Sequence, residues 1–208
     1  MHLLASQPGG FTDDEGIVDL GQSPADIVIL SAADSALAAL ADSAETLPSD
    51  YPSLRLANWM HLLKPAAFDL YRDKVIDHAK IVIVSLLGGE NYWQYGFEQL
   101  QHWALADPQR QLIIVPGDDT PDDVLFAAST TSTSVAIRVW RYLREGGALN
   151  NRQLLRYIAA ALLEKNSPWH EPQTLPHCLL YLPDTNITST VSKPSRSNPA
   201  LHQQASFI

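Results

Sequence analysis

The chain has 208 residues, of which 46% are hydrophobic, and this is enough for one ordinary soluble domain with a buried core. Its 14 basic and 23 acidic residues give a formal net charge of −9. Proteins that bind nucleic acids or anionic membrane surfaces carry clustered Lys and Arg. The acidic balance therefore argues against both kinds of partner.

The chain shows no targeting or membrane signal. Its first residues lack a basic region ahead of an apolar run, so they do not have the pattern of a secretory signal. No stretch approaches the roughly 18 uninterrupted apolar residues of a transmembrane helix. The single cysteine, Cys178, lies in an apolar run and is expected to be a buried, inert thiol in a reducing compartment. These features predict a cytoplasmic protein.

Short apolar runs alternate with longer amphipathic ones, as strands and crossover helices do in a parallel sheet. Strands are predicted at 27–30, 54–58, 81–87 and 111–115, with a further candidate at 178–182. Helices are predicted at about 35–44, 65–78, 90–105, 134–144 and 151–165. The predicted fold class is α/β, with an open, mostly parallel sheet flanked by helices in flavodoxin- or Rossmann-like layering and a helical segment toward the C-terminus. The run 54–58 is less apolar than the other strands, and we expect it nearer an edge.

Two regions of different composition make up the chain. Residues 1–183 form one predicted α/β domain. Residues 184–208 are rich in Ser and Thr and have neither helical nor strand periodicity. This second region is predicted to be a disordered tail.

In an open parallel sheet, ligands usually bind beyond the carboxyl ends of the strands. Those ends are predicted at 31–34, 58–61, 87–91 and 116–119. The rim that these four segments form is the expected place for any small-molecule site.

Gly88 and Gly89 lie between a predicted strand and a predicted helix, as the glycines of a phosphate-binding loop do. Their spacing matches neither G-x-G-x-x-G nor G-x-x-x-x-G-K-[ST]. Glu90 would also stand in the first helical turn, where it already compensates the helix dipole. A tight turn that lets the helix pack closely on the sheet is favoured over nucleotide binding.

Four aromatic residues, Tyr92, Trp93, Tyr95 and Phe97, open the helix that follows. A solvent-facing subset could stack on a flat conjugated ligand such as a tetrapyrrole, or the rings could cover the sheet and anchor the helix. Trp93 and Phe97 are four residues apart and share one helix face, so the core interpretation is favoured for those two.

Four carboxylates, at Asp118, Asp119, Asp122 and Asp123, fall within six residues. A Mg²⁺ site is one interpretation, because hard cations take oxygen ligands. A helix start is the favoured one, with Thr120 as N-cap and Pro121 at the first helical position.

No catalytic set or metal site emerges from the remaining polar residues. The seven histidines show no metal-binding spacing, and His61 alone lies near the expected ligand rim, where a local hydrogen bond is its favoured role. Ser85 lies inside a predicted strand and not on a G-x-S-x-G elbow. The catalytic residues are therefore unknown, and no metal ligand is assigned.

Six segments, taken in their order and spacing over residues 1 to about 183, point to a known family. The strongest is LLGG at 86–89 followed by Tyr92, Trp93, Tyr95, Gly96 and Leu100. The others are 1–4 with 8–10, 25–34, 52–58, 116–119, and 144–147 with Asn150 or Asn151. Together they resemble the amino-terminal region of cobaltochelatase large subunits of the CobN type, which are related to the H subunit of magnesium chelatase.

The resemblance implies a role in cobalamin biosynthesis. In that family the large subunit binds a corrin precursor, hydrogenobyrinic acid a,c-diamide, and Co²⁺ is inserted at the expense of ATP. The resemblance implies two smaller AAA+ ATPase subunits as partners, which would handle ATP and Mg²⁺, and the remaining large-subunit domains as a further partner. No cofactor is expected on this chain itself, and its sequence contains no Walker motif.

Family members are much longer than this chain, and residues 184–208 resemble none of the sequence that follows in them. A truncated or frameshifted product and a separate small paralogue all fit this pattern, so the chain is not expected to be catalytic alone. The matching residues expected to meet ligand or partner are Asn58, Gly88, Gly89, Tyr92, Trp93, Gly117, Asp118 and Asp119, and His61 joins them because it lies near the same rim. The alternatives are a non-catalytic protein-interaction module or remnant without ligand and, ranked last, an independent small enzyme.

Overall fold

The structure is a computed structural model that describes the backbone of residues 4–5 and all of residues 17–174. Within this part of the chain, five strands form one sheet in the order β1-β3-β2-β4-β5, and all neighbouring strands are parallel. The predicted α/β class with a parallel sheet is confirmed. The candidate strand at 178–182, Cys178 and the predicted tail at 184–208 lie outside the described residues.

Strands alternate with helices along the chain as far as β5. The strands are β1 (Leu4–Ala5), β2 (Ile27–Ser31), β3 (Leu54–Asn58), β4 (Ile81–Leu86) and β5 (Gln111–Pro116). The helices are α1 (Asp34–Ala44), α2 (Pro65–Lys74), α3 (Gln94–Leu105), α4 (Asp123–Ala127), α5 (Thr133–Glu145) and α6 (Gly147–Tyr157). Three 3₁₀ turns, Trp59–Leu62, Ile76–His78 and Glu90–Trp93, and one π-helical turn, Ile158–Leu162, complete the described elements. No described helix is long and apolar enough to cross a membrane.

Both faces of the sheet are buried, because helices cover each of them. On one face, α2 and α3 pack against side chains such as Val28, Val82 and Ile114. On the other face, α1, α5 and α6 pack against side chains such as Ile29 and Ile83. Burial on both sides explains why β2 and β4 are runs of β-branched and aliphatic residues rather than alternating patterns.

Among the described strands, β3 lies near one edge of the sheet, and the two-residue β1 lies outside it. The less apolar composition of β3 comes from Arg55, which is 3% exposed. The Arg55 guanidinium donates to the carbonyl oxygens of Ser23 and Leu54 and to the hydroxyl of Ser23. These hydrogen bonds satisfy a buried cation, which explains how a charged residue stands in a buried strand.

At the opposite edge of the sheet, side chains from the segment after α4 bond to the backbone of β5. The backbone N–H of Leu112 donates to the hydroxyl of Thr130, and that of Ile114 donates to the hydroxyl of Ser129. The backbone N–H of Thr130 in turn donates to the carbonyl of Leu112. The exposed side of β5 is thereby protected from pairing with another chain.

All the predicted helices are present, but several of them begin or end at residues other than the predicted ones. The helix predicted at 65–78 ends at Lys74 and is followed by a separate 3₁₀ turn. The helix predicted at 90–105 begins as a 3₁₀ turn, and α3 proper starts at Gln94. The last one starts at Gly147 rather than near Asn151, because Gly146 and Gly147 both adopt positive φ and let α6 follow α5 directly.

At the amino ends of the strands, Asp26 joins the starts of β2, β3 and β4. Its carboxylate accepts hydrogen bonds from the hydroxyl and the N–H of Ser53, at 2.7 and 3.2 Å, and lies 2.8 Å from Lys80 Nζ. Partial burial would raise the pKa of Asp26, but the hydrogen bonds from Lys80 and Ser53 outweigh it and hold the pKa below its ordinary value.

We expect Asp26→Asn to lower the free energy of unfolding at pH 7 by less than about 1 kcal/mol, since the ion pair is partly exposed and screened. The folded-state pKa of Asp26 is the lower one, so its contribution is present above the unfolded-state pKa. It is lost as the pH falls through the folded-state value. Urea unfolding from pH 7 downward should therefore show the two proteins converging below about pH 4. Asp42→Asn, on the exposed face of α1, is the matched control; a deficit of Asp26→Asn that does not depend on pH would contradict the account.

Candidate functional site

The carboxyl ends of the strands meet at one edge of the sheet. Ser31 pairs in register with Asn58 on one side and with Ser85 on the other, and Ser85 pairs with Val115. β2 thus lies between β3 and β4, and α1, which follows β2, covers the face opposite to that covered by α3, which follows β4. This is the topological switch point of a doubly wound sheet, where ligand crevices form.

Asn58 fastens two of the loops at this edge to each other. It is 6% exposed, and its amide nitrogen donates to Asp34 Oδ1 at 2.7 Å and to the carbonyl of Ala32 at 3.3 Å. Its amide oxygen accepts the backbone N–H of Met60 at 2.9 Å. The Asn58 amide therefore positions the loops after β2 and β3, and its hydrogen-bonding groups are engaged within the protein.

A cleft of about 320 Å³ opens at the switch point, on the face covered by α1 and α5. We call it the switch-point cleft and define it by its lining residues, Ile29, Ser31, Ala33, Ala36, Leu40, Ser85, Pro116, Gly117, Asp118, Asp119, Leu143 and Arg144. Its walls are mostly aliphatic, and it brings together two hydroxyls, two carboxylates and one guanidinium. Such a mixture suits a small organic ligand with polar groups.

Gly117 allows the backbones of β4 and β5 to approach closely beside this cleft. A Cβ atom at this position would lie 2.9 Å from the backbone nitrogen of Leu87 and 3.1 Å from the carbonyl carbon of Leu86. The N–H of Gly117 donates to the carbonyl of Leu86 at 2.9 Å, which holds the two segments together. No larger residue fits here without moving backbone.

Asp118 and Asp119 extend from the same loop. Asp118 Oδ1 accepts the N–H of Thr120 at 3.0 Å, and the Asp118 carbonyl accepts the indole N–H of Trp140 at 3.0 Å. Asp119 is exposed. The loop is thus anchored to α5 through its backbone.

The helix start predicted from these acidic residues lies two residues later than expected. Asp122, not Thr120, is the N-cap of α4, and Asp122 Oδ1 accepts the N–H groups of Val124 and Leu125. Asp123 is then the first residue of α4. A carboxylate offers a stronger acceptor than a hydroxyl to those N–H groups, which explains the shift. No group of three or more metal-binding side chains converges among the described residues.

Gly88 and Gly89 form the turn after β4 with φ values of +85° and +76°. The tight turn that the sequence favoured is present, and both positions are in the region that favours glycine. These two glycines and Asp118 line a second cleft of about 430 Å³, on the other side of the 116–118 segment, together with Leu86, Pro116, Thr120, Pro121, Asp122, Asp123 and Leu125.

The aromatic residues divide between core and surface. Trp93 is 2% exposed, stacks on Trp59 with ring centroids 5.3 Å apart, and donates its indole N–H to the carbonyl of Leu62. The prediction that Trp93 and Phe97 belong to the core is confirmed. Tyr92 is 56% exposed and presents only an edge contact to Trp59.

Tyr95 is half-buried and donates its hydroxyl to the Asp69 carboxylate at 2.8 Å, a hydrogen bond that raises the pKa of Tyr95. Of the four aromatic residues that open this region, Tyr92 is therefore the one with a ring available to a ligand.

The nine residues predicted for the rim do not form one site. Gly117, Asp118 and Asp119 line the switch-point cleft, and Gly88 and Gly89 line the second cleft. Asn58 and Trp93 are buried in contacts within the protein, whereas Tyr92 is exposed and His61 is half-buried in the turn after β3.

Sequence reasoning missed Ser85 and Arg144 as residues of the cleft. The signal for Ser85 was a hydroxyl residue in an otherwise aliphatic strand. Arg144 reaches the cleft only through the packing of α5, which no local pattern reveals.

Gly117→Ala is expected to lower the free energy of unfolding by about 1–3 kcal/mol, because the added methyl group meets backbone atoms that cannot move independently. Chemical denaturation followed by circular dichroism measures this loss. The neighbouring substitution Asp119→Ala changes an exposed residue and should stay within about 0.5 kcal/mol of the wild type. Equal stability of Gly117→Ala and the wild type would show that the two strands do not approach as described.

Comparison with known proteins identifies relatives of this chain, although no protein-family model matches its sequence. The aerobic cobaltochelatase subunit CobN of Pseudomonas aeruginosa is 50% identical over 183 residues, which cover 88% of this chain and 14% of that protein. The aerobic cobaltochelatase subunit CobN of a Sinorhizobium species is 39% identical over 168 residues, which cover 81% of this chain and 13% of that protein.

A solved structure agrees with these relatives. The catalytic subunit of cobaltochelatase from Mycobacterium tuberculosis matches with a TM-score of 0.58 at 25% identity, over 72% of this chain and 11% of that one. The chain spans about one seventh of the length of the curated relatives it matches, which fits their amino-terminal region. The resemblance seen in the sequence motifs is confirmed: in sequence and fold, the chain matches the amino-terminal region of CobN-type cobaltochelatase subunits.

Proposed function

We propose that this chain provides the amino-terminal α/β part of a cobaltochelatase large subunit and, in that role, contributes to cobalt insertion in cobalamin biosynthesis. The observation that carries the proposal is the 50% identity over 183 residues to a CobN subunit. Agreement in fold with a cobaltochelatase catalytic subunit supports it independently.

The proposed substrates are hydrogenobyrinic acid a,c-diamide, as the corrin precursor, and Co²⁺. ATP and Mg²⁺ are assigned to partner subunits of the AAA+ ATPase type, because this sequence has no Walker motif. In this scheme the chain contributes recognition of the corrin precursor or assembly with the partners, while metal insertion requires the rest of the large subunit.

The geometry of the carboxyl edge is compatible with a recognition role. The switch-point cleft offers hydrogen-bond donors and acceptors between aliphatic walls. Tyr92 offers an exposed ring on which a flat ligand could stack. Both lie on loops that are positioned by a rigid parallel sheet, as ligand-binding loops commonly are.

Two measurements on the purified chain test this proposal. The first is an absorption titration of hydrogenobyrinic acid a,c-diamide, whose bands should change saturably on binding. The second is a pull-down of the two ATPase subunits and of the remaining large-subunit domains. We expect at least one of the two measurements to be positive.

A pull-down without any spectral change would favour the alternative of a protein-interaction module that has no ligand of its own. No spectral change together with no retained subunit would contradict the proposed function. Serum albumin in place of the chain controls for nonspecific adsorption of the tetrapyrrole.

A further inference from the structure

The floor of the switch-point cleft carries hydroxyl groups where packing alone favours aliphatic side chains. On the face toward α1, β2 presents Ile27, Ile29 and then Ser31, and β4 presents Ile81, Ile83 and then Ser85. The four isoleucines are completely buried, and Ser31 is still only 7% exposed. Ser31 and Ser85 are paired in register, so the two hydroxyls lie side by side on neighbouring strands.

Burying an aliphatic side chain here would stabilise the fold, by about 1.5–3 kcal/mol for a residue such as Val or Ile. Ser31 has a local role, because its oxygen accepts the N–H of Ala33 at 3.1 Å. The Ser85 hydroxyl has no hydrogen-bond partner among the described residues, and it lines the cleft. Local structure therefore accounts for one hydroxyl and leaves the other unexplained.

Arg144 brings a fixed positive charge to the same cleft. Its guanidinium lies over the ring of Trp140, 5.0 Å from the ring centroid, and is paired with the carboxylate of Glu145. These two contacts restrict a long side chain that would otherwise lose conformational entropy on binding a ligand. The hydrogen bond to Glu145 comes from Nη2, and the other N–H groups of the guanidinium are the donors that a ligand carboxylate would meet.

Asp118 and Asp119 make the opposite contribution at the mouth of the cleft. Asp119 is exposed, and Asp118 has one carboxylate oxygen bound to the N–H of Thr120. Their negative charge disfavours a phosphate group, which would carry more charge than the single Arg144 can neutralise. The same carboxylates can accept hydrogen bonds from N–H donors on a ligand that enters beside them.

We infer that the switch-point cleft binds the polar side arms of a small-molecule ligand, with a carboxylate arm held by Ser31, Ser85 and Arg144 and a neighbouring carboxamide arm donating to Asp118 or Asp119. The volume of about 320 Å³ is at the low end of small-molecule sites, which span about 300–1,000 Å³. A complete macrocycle does not fit, so the ring system remains outside. This inference rests on the proposed function, in which the ligand is a corrin precursor that bears acid and amide groups.

The first arm of the test measures the dissociation constant of hydrogenobyrinic acid a,c-diamide for the wild type and two cleft variants. Arg144→Gln and Ser85→Val should each raise it about 10-fold or more, which is the effect of losing one charge-assisted or one buried hydrogen bond. Arg141→Gln, on the exposed face of the same helix, and Ser134→Ala are matched controls and should leave it unchanged. Thermal unfolding of each variant shows whether the fold is intact, and Ser85→Val should be at least as stable as the wild type.

The second arm uses a small probe, succinamic acid, which carries one carboxylate and one primary amide. In ¹⁵N-labelled wild-type protein, the probe should shift the backbone signals of Ser31, Ser85, Gly117 and Asp119, and Arg144→Gln should abolish these shifts. Succinamide, which lacks the carboxylate, should have a much weaker effect.

The two arms separate failure of this inference from failure of the proposed function. Corrin binding that neither cleft variant weakens, with no probe shifts at the cleft, overturns the inference and leaves the proposed function standing. Probe shifts at the cleft without corrin binding support the cleft as a carboxylate and carboxamide site and count against the corrin assignment. Absence of both signals overturns the inference and the corrin-recognition part of the proposed function, while the pull-down tests the assembly part separately.

Discussion

Four of the five strands are covered on both faces, and this double burial is the constraint on which the rest of the structure depends. A parallel sheet needs a crossover between successive strands, and helices on both faces require the chain to reverse its direction of winding once. The reversal takes place at β2, which has β3 on one side and β4 on the other. Because the helices after β2 and β4 cover opposite faces, their loops separate at the carboxyl edge, and a crevice results without any special residue to open it.

Specific residues then shape this crevice. Asn58 binds the loops after β2 and β3 to each other, and Gly117 lets the ends of β4 and β5 approach to a distance that a side chain would prevent. The stacked pair Trp59 and Trp93 fills the opposite face of the same edge, where the Trp59 indole N–H also donates to the carbonyl of Ser85. The loops are therefore held by buried contacts, while Asp119 and Tyr92 remain exposed and available to a partner.

The strands and the carboxyl edge of the sheet were predictable, because buried β-branched runs such as 81–87 have few alternatives to a parallel strand. β1 could not be predicted, since its two residues form a strand through pairing with β3 and have no pattern of their own. The sequence favours Thr120 as the cap of α4, because a hydroxyl followed by proline is a common helix start, but the carboxylate of Asp122 caps the helix in the structure. The site was predicted least well, because Arg144 and Ser85 come together only through helix packing and strand register, which depend on the whole fold.

The central claim is that β2 lies between β3 and β4 with all three strands parallel. Backbone nuclear Overhauser contacts in deuterated, ¹⁵N-labelled protein test it most directly. The account predicts contacts from the backbone of Ile29 to that of Leu56 on one side and to that of Ile83 on the other, with the pattern of parallel strands. Direct contacts between β3 and β4, or an antiparallel pattern around Ile29, would contradict the switch point and the cleft that depends on it.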